Sequence, residues 1–294
     1  MDIKDIEVFI AAARAESLAA AARQLNLTPM SATRRLATLE QDLGVRLIHR
    51  TTRSLSLTPE GEEFLPFART MLDAAEEAHS ALSPSNTRAK GLLRVTAPAL
   101  FGRLWIQPLI PDFLNSNPDV QVELTLTDSL VDLAASGTDV AIRIAPLRDS
   151  ELVARAIARN PRVLCASPQY IEKNGAPRLL ADVSRHACLR LASMPYWPFD
   201  QNGQTRSVRV DGRYACTTVE GVRAACLQSL GLALMTYLDV CTELEAKTLI
   251  RVGLEDVKDQ ELSIWAVLPT RQYVPVRVRH FLKALEASLV SEEL

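Results

Sequence analysis

Apolar positions in the first eighty residues repeat at helical spacing, break into a short alternation, and return to helical spacing. Ile3, Ile6, Phe9 or Ile10, and Ala13 share one face and predict a helix over residues 3–15. The alanine-dense stretch 18–25 follows, with Ser17 placed to cap it. Thr28 and Pro29 read as the N-cap and first position of a third helix. Ala32, Leu36, Leu39 and Leu43 then form its buried stripe, and Gly44 ends it. Its other face carries Met30, Thr33, Arg34, Ala37 and Thr38, which are short, polar or cationic. Val45 and Leu47, then Leu55 and Leu57, alternate with polar residues and predict a hairpin with a basic tip. Thr58-Pro59-Glu60 opens a further helix to Leu82, roughly 36 Å long at 1.5 Å per residue. Phe64, Ala68, Met71, Ala75, Ala78 and Leu82 repeat along it as a heptad seam suited to a twin helix. Leu65 and Leu72 lie off that seam and are free to contact the chain's own N-terminal part.

Residues 83–87 (Ser-Pro-Ser-Asn-Thr) break the helix as a hinge, and from Gly91 the rhythm becomes strand–helix. Strands are expected over 92–97, 120–127, 139–144, 163–166, 208–210, 215–217, 232–236 and 262–267. Helices are expected over 101–115, 130–136, 168–174, 219–230, 240–247 and 275–289. This order predicts an α/β domain with a largely parallel sheet. The strand–helix rhythm restarts near 159–162, which predicts two similar lobes around a ligand cleft. The boundaries read as 1–58, then a linker helix and hinge over 59–90, then a domain over 91–294. Within the last, the first lobe takes about 91–161 and 266–294, and the second about 162–265.

Net charge is −2 over 294 residues, so a nucleic-acid partner rests on local charge alone. Arg23, Arg34, Arg35, Arg46, Arg50 and Arg53 cluster there against Glu40 and Asp42. No apolar run is long enough to span a bilayer, and the N-terminus is no secretory signal. The five cysteines are odd in number and lack a C-x-x-C pair, which points to a reducing cytoplasm and away from a zinc site. Four scattered histidines, with no G-x-S-x-G, glycine-rich phosphate loop or H-E-x-x-H, give no catalytic constellation. No catalytic residue, metal ligand or cofactor is therefore assigned.

Several runs in this order are similar to the LysR-type transcriptional regulators. They are S-L-A-A-A-A-R-Q-L-N-L-T (17–28), R-R-L-A-T-L-E-Q-D-L-G-V-R-L-I-H-R (34–50) and S-L-S-L-T-P-E-G (54–61). R-V-T-A-P-A-L-F-G-R (94–103), T-D-V-A-I-R-I (138–144), R-V-L-C-A-S-P-Q-Y (162–170) and S-L-G-L-A-L-M (229–235) extend the likeness over nearly the whole chain. The resemblance implies an N-terminal winged helix-turn-helix, a dimerising linker helix and a two-lobed, periplasmic-binding-protein-like effector domain. It implies homodimers or homotetramers on an interrupted dyad in double-stranded DNA, and leaves room for a contact with RNA polymerase. Met30 and Ala32 depart from residues usual in the family, as does Thr217-Thr218 before the Glu220 helix.

Two sites follow. For the major groove the candidates are Thr28, Pro29, Met30, Ser31, Thr33, Arg34 and Thr38, with Arg34 suited to guanine. Arg50, Thr52 and Arg53 on the hairpin would hold phosphates. For a small-molecule effector, with a carboxylate as the leading candidate, the candidate residues lie in loops at strand ends: Thr96, Ala97 and Pro98; Thr127 and Asp128; Arg143; Ser167; Thr217 and Thr218; and Thr236. Several of these Ser and Thr residues would equally serve as helix N-caps. Rival readings are a thiol redox-sensing regulator, and a ligand receptor or enzyme without a DNA role.

Overall fold

The computed structural model describes residues 1–50, 55–82, 88–129, 137–146, 153–269 and 274–290. The N-terminal part packs α1 (Ile3–Ala15), α2 (Leu18–Gln24) and α3 (Pro29–Leu43) around Phe9, Ala12, Ala22, Leu36 and Leu39, all fully buried. Alanines at the α1–α2 contact let the backbones approach closely, which sets the angle at which α3 leaves the bundle. The antiparallel hairpin β1 (Ile48–Arg50) and β2 (Leu55–Leu57) closes this unit, with Ile48 opposite Leu57. Leu47, Leu55 and Leu57 pack into the core as the alternation predicts and Ile48 joins them, whereas Val45, ahead of the strand, is 41% exposed.

The helix α4 (Pro59–Leu82) starts where Thr58 accepts the Gly61 amide at 2.9 Å and donates to the Arg46 carbonyl at 2.7 Å. Gly61 lies so close to the Leu47 carbonyl that any side chain would collide with it. The expected seam divides. Phe64, Leu65 and Ala68 pack into the N-terminal core, while Phe67 is 60% and Met71 36% exposed. The outward stripe therefore keeps Met71 and Ala78 of the expected seam and gains Phe67 beside them.

The rest of the chain forms two lobes with matching sheets. In the first, the order is β4 (Asp119–Leu126), β3 (Lys90–Ala97), β5 (Val140–Ala145), β14 (Ser263–Leu268), β6 (Val153–Arg159). In the second it is β11 (Ala215–Cys216), β8 (Cys188–Leu191), β12 (Leu232–Thr236), β7 (Arg162–Ala166), β13 (Ile250–Arg251). Each sheet is mixed: four strands run in one direction and one runs against them, so two of its pairings are parallel and two antiparallel. The strands that reverse the direction are β14 and β7, which the chain enters after crossing between lobes. A hairpin of β9 (Tyr196–Gln201) and β10 (Gln204–Arg209) covers the second lobe and buries Trp197 and Phe199. Strands β6, β8, β9 and β13 carry no alternation that the sequence made conspicuous. The expected helix over 101–115 is a composite of α (Ala99–Phe101), π (Gly102–Ile106), 3-10 (Gln107–Leu109) and α (Ile110–Ser116) segments, because Pro108 and Pro111 interrupt the regular ladder. The helix expected over 130–136 lies outside the described residues. Val276–Val290 closes the chain, with Phe281, Leu285 and Leu289 buried on the first sheet.

Candidate functional sites: the α3 face and the interlobe cleft

On α3 the burial divides the residues cleanly. Ala32, Leu36 and Leu39 are fully buried, whereas Thr28, Pro29, Met30, Thr33, Arg34 and Thr38 are exposed and Ser31 is half-exposed. Thr28 caps the helix through the Ser31 amide at 3.1 Å and donates to the Ser31 hydroxyl at 2.9 Å. Thr38 donates to the Arg34 carbonyl at 3.0 Å, so its methyl points outward. Met30, near the N-terminal end, is 82% exposed. Arg50 ends β1, and Thr52 and Arg53 lie outside the described residues.

Two of the clustered arginines have structural partners. Arg35 pairs with Asp5 at 2.9 Å and fastens α3 to α1. Arg46 pairs with Glu40 at 2.8 Å but stays three-quarters exposed, still within reach of a phosphate. Glu40 is the residue that sequence reasoning missed. Its buried carboxylate also accepts the Leu47 and Ile48 amides at 3.0 and 3.3 Å, so it locks the hairpin to α3. The signal was readable: a carboxylate four residues after Leu36 falls on the buried stripe and must find donors there.

The second site lies where the lobes face. Strands β3, β4 and β5 end together on the first lobe; β8, β11 and β12 end together on the second. The Ala99–Phe101 turn packs against the helices Val219–Leu227 and Tyr237–Glu245. Trp105 donates to the Leu238 carbonyl at 3.0 Å, and Arg103 pairs with Glu220 at 2.7 Å. Asn160, fully buried at the crossing, bonds Thr236 at 3.1 Å and the Leu238 amide at 3.0 Å. Asn160 also escaped the sequence reading, although an Asn-Pro pair between two strands is a turn signal.

Thr96, Ala97, Pro98, Thr127, Asp128 and Arg143 gather at the cleft end of the first lobe; Thr217, Thr218 and Thr236 gather at that of the second. Several are occupied by caps and turns. Thr218 accepts the Gly221 amide at 3.2 Å, Thr127 that of Ser129 at 3.2 Å, and Asp128 that of Ala99 at 2.9 Å. Thr236 donates to Asp239 at 2.6 Å. Ser167 is a correction. Strand β7 runs antiparallel to β12, so Ser167 stands at the far end of the sheet from Thr236, where it caps Tyr170 and bonds Ser229 at 2.8 Å. The rule that ligands sit at strand C-termini holds only for strands running the same way.

Two groups at the cleft are left unsatisfied. Thr96 Oγ1 and one Arg143 nitrogen, Nη2, are buried with no hydrogen-bond partner. Their side chains share a face of the sheet, since Thr96 sits opposite Ala141 in register and Arg143 is two residues further along. Burial lowers the Arg143 pKa, the mark of a cation lacking compensation. Across the cleft, burial pushes Asp239 up to about 6 against the hydrogen bonds from Thr236. Cys165, Cys188, Cys226 and Cys241 are buried, and burial pushes Cys188 up to about 12. Cys216 is partly accessible, and the Thr218 backbone amide lowers its pKa.

Residues 3–62 match the family model described as the bacterial regulatory helix-turn-helix protein, lysR family, and residues 86–289 match the LysR substrate binding domain. This chain belongs to the LysR family of transcriptional regulators. It is 32% identical to the HTH-type transcriptional regulator DmlR of Escherichia coli K12 over 281 residues, covering 94% of this chain and 91% of that one. It is 31% identical to the HTH-type transcriptional activator TtdR of Escherichia coli UTI89, covering 97% and 92%. The solved structure of CrgA, a LysR-type transcriptional regulator from Neisseria meningitidis, overlays with a TM-score of 0.62 at 26% identity, covering 98% and 99%. The LysR match assigns the chain to the transcription regulators.

Proposed function

We propose that this LysR-family regulator acts in the cytoplasm, reads a two-fold related duplex as a dimer or tetramer, and changes its grip when a small carboxylate enters the interlobe cleft. The exposed face of α3 lies in the major groove, and the β1–β2 hairpin holds the adjacent backbone. The outward stripe Phe67–Met71 joins two copies, and RNA polymerase is the partner that promoter occupancy would recruit or block. One observation carries the effector half of this reading: the buried, unpartnered Thr96 hydroxyl and Arg143 Nη2 on one face at the cleft. A buried donor left unmade costs about 1–3 kcal/mol, and a carboxylate is the acceptor that a guanidinium fits best. Ligand binding across both lobes favours one lobe arrangement and so alters the spacing of the DNA-binding heads.

The test is calorimetric titration of the protein with a panel of small mono- and dicarboxylates. At least one should bind, and Arg143→Ala should weaken it by about tenfold to a hundredfold, the worth of a charged hydrogen bond. Equal affinity in the variant, or no binder in the panel, argues against this cleft as a carboxylate site.

A further inference from the structure

Arg46 is an exposed cation that the fold holds still at both ends. Its carbonyl accepts the Thr58 hydroxyl at 2.7 Å, and its Nη1 donates to Glu40 Oε2 at 2.8 Å. The two partners differ sharply in setting: the Glu40 side chain is 4% exposed and that of Arg46 is 75% exposed. Glu40 Oε1 accepts the Leu47 and Ile48 amides at 3.0 and 3.3 Å, so three N–H groups answer the buried carboxylate. Surface ion pairs are ordinarily loose, because ordering two long side chains offsets their attraction. Here the carboxylate is fixed in the core beforehand, and only the arginine has to be ordered. A guanidinium carries more N–H donors than one carboxylate oxygen takes, so the rest of this exposed fork is left for another acceptor.

The pair stands beside an open groove of about 500 Å³, lined by Ala37 and Gln41 of α3 on one side and by Gly44, Val45 and Arg46 on the other. Ala37 lies one helical turn after Thr33, and Gln41 one turn after Ala37, so the groove prolongs the exposed face of α3. Gly44, at φ +73, turns the chain back and returns Arg46 alongside the last turns of that helix. Glu40 is the one acid among the described lining residues, and its charge is directed to the Arg46 fork and the two amides. A fixed guanidinium at the rim of a groove that continues the recognition face has the chemistry to hold a phosphodiester.

We propose that Arg46 holds a backbone phosphate of the duplex strand running along this groove, and that Glu40 is the positioning residue that aims it. The inference rests on the reading that the exposed face of α3 meets DNA, and it is independent of the cleft. It differs in sign from a merely structural pair. If Arg46 only neutralised Glu40, removing the arginine would leave DNA binding unchanged, and removing the carboxylate's charge would strengthen attraction to a polyanion. If Glu40 aims Arg46, both changes weaken binding.

The test is binding of the full-length protein to a duplex from beside its own gene and to a permuted duplex, each across a salt series. Arg46→Gln should weaken binding to both by roughly tenfold, the worth of a charged hydrogen bond, and make the salt slope shallower by about 1. Glu40→Gln, which keeps an oxygen for the Leu47 and Ile48 amides, should also weaken both, and the double variant should bind no worse than Arg46→Gln alone. If Glu40→Gln fails to fold, Arg46→Lys takes its place: a charge without the fork should keep the slope and lose affinity, and unaltered affinity would overturn the positioning role. Unchanged binding by Arg46→Gln, or tighter binding by Glu40→Gln, would overturn the proposal while leaving the α3 reading intact. Absence of salt-dependent binding by the unaltered protein would overturn the α3 reading and this proposal together.

Discussion

Asp239 shows how a single buried residue makes stability depend on pH. It caps the helix Tyr237–Glu245 and accepts two bonds from Thr236, yet burial still raises its pKa from 3.8 to about 6, with Asp128 adding to the effect and Arg223 opposing it. A carboxyl raised on folding contributes most below its unfolded pKa, and that contribution is lost as pH climbs through the folded value. The shift corresponds to about 3 kcal/mol. Urea melts of the protein and of Asp239→Asn between pH 4 and 8 should therefore differ by an amount that changes by about 3 kcal/mol over that window, the native protein losing ground as pH rises. A difference independent of pH would show that Asp239 is not held in this state. The same scale explains why a charge census misjudges the α3 face. Arg35 is committed to Asp5, and Glu40 is spent on Arg46 and the hairpin amides, so Arg34 rather than the cluster as a whole carries the candidate readout.

At the scale of elements, what the sequence made legible was what local physics decides. Thr28-Pro29 and Gly44 bound α3, and Ser167-Pro168 opens the helix Pro168–Asn174, because caps and prolines act within one turn. Strand direction was not legible, since β7 and β14 gain their antiparallel neighbours only through contacts between segments distant in the chain. Ser167 was misplaced for that reason alone. The cleft residues Thr96 and Arg143 were legible as strand-end positions, but their lack of partners is a property of packing. The linker seam divided for a similar reason. Heptad spacing does not say which of two stripes the N-terminal core will take, and that core took Phe64 and Ala68. The remaining stripe yields a prediction: Phe67→Asp with Met71→Asp should shift the protein toward monomer in light scattering, with the N-terminal fold intact. Unchanged mass would place the contact between copies elsewhere.

At the scale of the molecule, the two mixed sheets repeat one pattern, and the chain crosses between the lobes near Asn160 and before Ser263. Arg103–Glu220 and Trp105–Leu238 span the cleft, while Arg14–Gln121 and the Arg69–Gly137 contact tie the DNA-binding part to the first lobe. The central claim remains that α3 reads sequence in duplex DNA. The most direct measurement is binding of the protein and of Arg34→Ala to a duplex from beside its own gene and to a permuted duplex, across a salt series. Binding to the first should fall steeply with salt. Arg34→Ala should lose about tenfold or more there, as a bidentate base contact is worth about 1–3 kcal/mol, and distinctly less on the permuted duplex. Equal binding of the unaltered protein to both duplexes, or the same loss on both for Arg34→Ala, would contradict the account.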